Sequence, residues 1–154
     1  MTLYELLSLI GAGIAIIISI VAIAKSNATN MATVEILINE RITATKEKVM
    51  DVTTTLAPYN VRQKNGTLSE DDKGILEIYE KQFNTAVENN LNAYENACAK
   101  YIDKKVDRVR FKKEYYAEIR ALVEKECYKQ YFDPTTSKFK AILKLYKEWC
   151  DLER

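Results

Sequence analysis

Residues 6–24, LLSLIGAGIAIIISIVAIA, are 19 consecutive uncharged and mostly aliphatic residues flanked by Glu5 and Lys25. As a helix this run is about 28 Å long at 1.5 Å per residue, close to the roughly 30 Å hydrocarbon core of a bilayer. A cleaved secretory signal is the competing reading. It requires a basic leading region, a shorter apolar run and a small-residue cleavage site. Here the leading region is MTLYE, without Lys or Arg, although Ala22 and Ala24 have the cleavage spacing. The run predicts a retained transmembrane helix over residues 1–25.

Orientation follows from charge. No Lys or Arg precedes the run, whereas Lys25, Arg41, Lys46 and Lys48 follow it. The positive-inside rule then places the N-terminus outside and the remainder in the bacterial cytoplasm, with the span in the inner membrane. Cys98, Cys127 and Cys150 are odd in number and widely spaced, which suits free thiols in a reducing compartment. In that orientation the sequons at Asn27 and Asn65 never meet the glycosylation machinery.

The rest reads as helices. The chain holds only four Gly and two Pro, and its net charge of +1 argues against a bulk polyanion binder. Met31, Val34, Ile38, Ile42, Val49, Val52 and Leu56 recur at three- and four-residue steps, with Thr45 at the one polar step. They predict a stalk helix over 26–57, stopped by Pro58, then a loop over 58–68. Ser69 predicts an N-cap for a second helix whose stripe is Leu76, Tyr79, Phe83, Val87, Leu91, Tyr94, Cys98 and Tyr101, ending near Lys104 and Lys105. Asp107 predicts the cap of a third, with Phe111, Tyr115, Ile119, Leu122 and Val123 inward. Asp133-Pro134 stops that helix and opens a fourth, lined by Phe139, Ile142, Leu143, Tyr146, Trp149 and Cys150. The expected fold is all-α: one span, a long continuation helix, and a cytoplasmic bundle over 69–154 packing on 31–57.

Catalytic chemistry is scarce. The chain has no histidine, which removes Ser/His and Cys/His nucleophiles and histidine metal sites. Gly11-Ala-Gly13 lies within the apolar run and is a packing feature, not a phosphate loop. No enzyme, cofactor or metal is expected.

Three constellations remain. Gly11, Ala15 and Ser19 recur every four residues and share one helix face, the pattern that lets transmembrane backbones approach closely. Lys104, Lys105, Arg108, Arg110, Lys112 and Lys113 put six positive charges in ten residues, able to hold phosphates or simply to face solvent. The polar run around Asn90, Asn92, Glu95 and Asn96 either hydrogen-bonds across helices or forms a solvated face.

The segment LNAYENACAKYIDKKVDRVRFKKEYYAEIRALVEK, residues 91–125, together with the single N-terminal span, resembles the small membrane accessory proteins found beside type VI-B CRISPR RNA-guided ribonucleases. That resemblance implies a HEPN-like helical domain and a ring-shaped homo-oligomer forming a membrane pore. It further implies an antiviral role, in which membrane integrity is lost once the partner ribonuclease recognises phage RNA. The missing histidine departs from the Arg…His motif of active HEPN ribonucleases, so no ribonuclease activity carries over.

The leading expectation is therefore a homo-oligomeric pore or permeabilising effector in lipid. A membrane-anchored adaptor that binds a protein or RNA is the alternative. A third reading, nucleic-acid sensing, rests on Arg108, Arg110, Lys112 and Lys113.

Overall fold

The structure, a computed structural model, describes residues 2–150, and of residues 3–13 the backbone alone. The chain is all-α. Helix α1 spans Leu3–Lys64, α2 Glu70–Ile102, α3 Arg108–Glu124 and α4 Lys140–Cys150, with a short 3-10 helix at Glu126–Tyr131 between the last two.

Helix α1 runs unbroken through the polar segment 26–30. Its hydroxyls do not compete with the helix, because they bond within it: Ser19, Thr29, Thr33, Thr53, Thr54 and Thr55 each donate to the carbonyl four residues back at 2.7–3.0 Å. The apolar stretch and the stalk are thus one helix of 62 residues.

Pro58 does not end it, contrary to the sequence expectation. The proline removes one N–H and costs a helix interior roughly 3 kcal/mol. Contacts on both sides hold the helix through it. Leu56 is buried, the Tyr59 ring lies 5.6 Å from that of Tyr79, and Arg62 Nη1 reaches Asp72 at 2.8 Å. The helix closes instead in a Schellman turn, with Thr67 N–H donating to Arg62 O and Gly66 at φ 67. The loop shrinks from the expected 58–68 to residues 65–69.

Helix α2 starts as expected. Ser69 Oγ accepts from Asp72 N–H, and Glu70, Asp71 and Asp72 fill its positive end. It runs antiparallel to α1, so Phe83 approaches Leu56 while Ala93 approaches Ile38. Helix α3 turns back alongside α1, with Glu118 Oε1 2.7 Å from Lys46 Nζ. Helix α4 returns again, bringing Trp149 to Tyr101 and Phe111.

The fourth helix begins later than expected. Asp133 accepts the N–H groups of Thr135 and Thr136 and the Thr135 hydroxyl, so it closes a turn. These bonds hold its carboxyl near a pKa of about 2. Helix α4 takes its cap from another helix: Glu95 Oε1 and Oε2 accept from Ala141 N–H at 2.8 Å and Ile142 N–H at 3.0 Å. The negative carboxylate also suits the positive end of the α4 dipole.

One main core joins all four helices, centred on Ile42, Leu91, Tyr94, Cys98, Ile119, Ile142, Leu145 and Trp149. A smaller cluster of Val52, Leu56, Leu76 and Ala86 holds a two-helix arm. The polar step at Thr45 is matched across the helix pair. Buried Asn90 donates through Nδ2 to Thr45 Oγ1 at 3.0 Å, fixing the register of α1 on α2.

Candidate functional site

Two surfaces carry the sequence candidates: the apolar half of α1 and the end of the bundle beside it. Helix α1 is long and apolar enough near its N-terminus to cross a membrane, by length and composition. From residue 14 to residue 30 every residue is exposed. Ile14, Ile16, Ile17, Ile18, Ile20, Val21 and Ile23 stand 54–63% exposed. At 1.5 kcal/mol or more per aliphatic side chain, leaving these in water forfeits on the order of 10 kcal/mol, as much as a domain's whole stability. Ala15 and Ser19 lie on this exposed surface, and the Ser19 hydroxyl is satisfied by Ala15 O at 2.8 Å. Gly11 shares their helix, but its surroundings fall outside the described residues.

The second surface is built where α2 ends. Its last turn is a Schellman motif: Lys105 N–H donates to Lys100 O at 2.9 Å and Lys104 N–H to Tyr101 O at 3.1 Å. The left-handed position that glycine usually fills is taken by Lys104, at φ 57. Val106 then plugs the core at 1% exposure. Asp107 caps α3 by accepting from Val109 and Arg110 N–H, each at 2.9 Å. Glu35 of α1 staples this turn: Oε1 accepts from Asp107 N–H at 2.7 Å, and Oε2 pairs with Arg110.

The six basic residues therefore divide. Arg110 is engaged by Glu35, while Arg108 pairs with Glu148 at 3.1 Å and stacks 4.5 Å over the Tyr101 ring. Lys112 lies 5.9 Å from both the Tyr116 and Trp149 rings. Among the described residues Lys104, Lys105, Lys112 and Lys113 have no carboxylate partner. Arg108, Val109, Lys112 and Lys113 line an open groove of about 520 Å³ floored by Tyr101 and Tyr116. Lys104 and Lys105 share a second groove, of about 320 Å³, with Asn27, Asn30, Met31 and Val34 of α1. Residues some 75 positions apart along the chain thus meet just beyond the apolar run.

Sequence reasoning missed Glu35. Its signal was an acid set between Val34 and Ile36 in an otherwise apolar stretch. Glu95 was singled out, and it does bond across helices, to the α4 terminus. Cys98 is buried and its thiol pKa pushed up by desolvation, and no three of His, Cys, Asp or Glu among the described residues are grouped to hold a metal. Burial, followed by the hydrogen bond to Glu118 at 2.6 Å, likewise raises the Tyr94 hydroxyl pKa.

No family model, curated protein or solved structure matches the chain.

Proposed function

We propose that this chain is a single-pass membrane protein whose spans self-associate into a homo-oligomer that permeabilises or gates the bilayer. The bundle, read as HEPN-like, rings the entrance on the cytoplasmic side. The observation that carries the reading is the apolar half of α1, which is exposed on every side and packs on nothing within the described residues. Lipid can cover such a helix, but Gly11, Ala15 and Ser19 offer a face on which a second copy packs backbone to backbone. Leu37, 58% exposed, lies on that same face roughly five turns beyond Ser19 at 3.6 residues per turn. The association surface then continues from the span into the stalk. The resemblance to accessory proteins of RNA-guided ribonucleases supplies the setting, antiviral defence triggered by a partner nuclease, and no catalytic role.

Oligomer size in nanodiscs and dye leakage from liposomes test this together. Several copies per disc and leakage that Ala15→Leu abolishes support the proposal. A monomer that never leaks, even with the triggered nuclease present, overturns it.

One observation favours the adaptor as a second reading. The span offers almost only aliphatic side chains, and a pore lined by them would dewet and stay shut unless wide. Bound protein or RNA without leakage would decide for the adaptor.

A further inference from the structure

We propose that the end of the bundle formed by Lys104 and Lys105 is a docking surface for anionic phospholipid headgroups. The inference rests on the reading that residues 6–24 span the bilayer, and it assigns that anchored protein a lipid preference.

Placement is the first argument. Lys104 and Lys105 line a groove with Asn27, Asn30 and Met31. Those α1 residues lie about 4–10 Å beyond Ala24 along a helix rising 1.5 Å per residue. Each headgroup layer is roughly 5–8 Å deep, so the two ammonium groups stand among lipid phosphates. In sequence these lysines are far from the span. The antiparallel return of α2 is what delivers them.

Charge is the second. Asp107 is committed to capping α3 and Glu35 to the turn, whereas Lys104 and Lys105 have no carboxylate partner among the described residues. Asp103 is the one acid left in the turn. A phosphate layer supplies the missing counter-charge.

Backbone is the third. Lys104 occupies a left-handed position at φ 57, which disfavours any side chain with a Cβ and suits glycine. Lysine stands where glycine is conformationally better, so this turn presents an ammonium group at some backbone cost. Val109, 82% exposed one turn on, adds an apolar contact facing the same side as Arg108 and Lys113 in the adjoining groove.

The test uses the full chain in bilayers of phosphatidylcholine with a minority of phosphatidylglycerol. Spin-labelled lipids report the ratio of association for the two headgroups. The wild-type chain is expected to prefer phosphatidylglycerol, and the preference falls with salt. Lys104→Gln/Lys105→Gln should lose about fivefold per charge, the usual effect of one basic residue at an anionic surface. Lys112→Gln, a turn further from the span, should lose less, and Lys48→Gln/Lys64→Gln nothing. Lys104→Gly separates charge from structure: it should raise the unfolding midpoint while lowering the lipid preference. Equal association of both lipids with the wild-type chain overturns the proposal, as does a preference unchanged in the double variant. So does an RNA oligonucleotide whose binding the double variant loses while lipid preference stays. Failure of the chain to float with liposomes of either composition overturns the span reading itself, and is scored separately beforehand.

Discussion

The two halves of α1 obey opposite rules. Beyond residue 31 the helix buries a single stripe, Ile38, Ile42, Val52 and Leu56, and turns its other faces to water. Between residues 14 and 30 it buries nothing, although that half is the more apolar. A helix that is apolar all round belongs in an apolar medium or against other helices, and one with a stripe belongs on the edge of a bundle. One continuous backbone thus carries two surface patterns. The change between them falls at Lys25 and the polar residues 26–30.

The contrast can be broken most forcefully in the core. Leu145→Ala, at a fully buried position where α4 meets α2 and α3, should cost about 2–5 kcal/mol of bundle stability. Ile17→Ala in the exposed half should leave bundle unfolding unchanged. Denaturant titration in detergent, followed by Trp149 fluorescence, compares them directly, since Trp149 is the single tryptophan.

A charge in the exposed half should do the reverse. Ile17→Lys is expected to cost about 2.5–3.5 kcal/mol of membrane insertion while sparing the bundle. Fractionation of the variant between membrane and soluble pools reads that effect.

Smaller again is the loss of the cap that α2 gives α4. Glu95→Ala leaves Ala141 and Ile142 N–H unpaired and should cost about 1–2 kcal/mol. Hydrogen exchange should show the loosening first at the start of α4.

The two halves also differ toward base. Tyr115 is pushed up to about 12 by burial and nearby carboxylates, and Tyr94 and Cys98 are raised as well. Groups held protonated in the fold contribute stability that is whole below their ordinary values and is lost as pH rises through the folded ones. Bundle stability should therefore decline between about pH 9 and 12. The run from residue 6 to residue 24 holds no titratable side chain, so its helix should persist through that window. Circular dichroism across an alkaline titration distinguishes the two.

Much of this was legible in the chain. The stripe from Val34 to Leu56, the caps at Ser69 and Asp107 and the apolar run all follow from local periodicity and local hydrogen-bonding chemistry. What was not legible depends on distant partners. Pro58 reads as a helix stop until Tyr79 and Asp72 are seen gripping the next turn. Asp133 reads as a cap until its carboxylate is found closing its own loop, with Glu95 serving α4 instead. The six basic residues read as one cluster, yet Glu35 and Glu148 engage two of them and the return of α2 carries Lys104 and Lys105 to the foot of the stalk. Leu145 was left out of the α4 stripe although it stands three residues from Ile142, and Val106 sits in the turn between α2 and α3, where no helical period reaches it.

Extraction of native membranes with urea, followed by sedimentation, tests most directly whether the exposed half of α1 resides in lipid. The full-length chain should remain with the membrane pellet even after its bundle has unfolded. Release into the supernatant as intact chain, or recovery of a polypeptide that begins after Ala24, would contradict it.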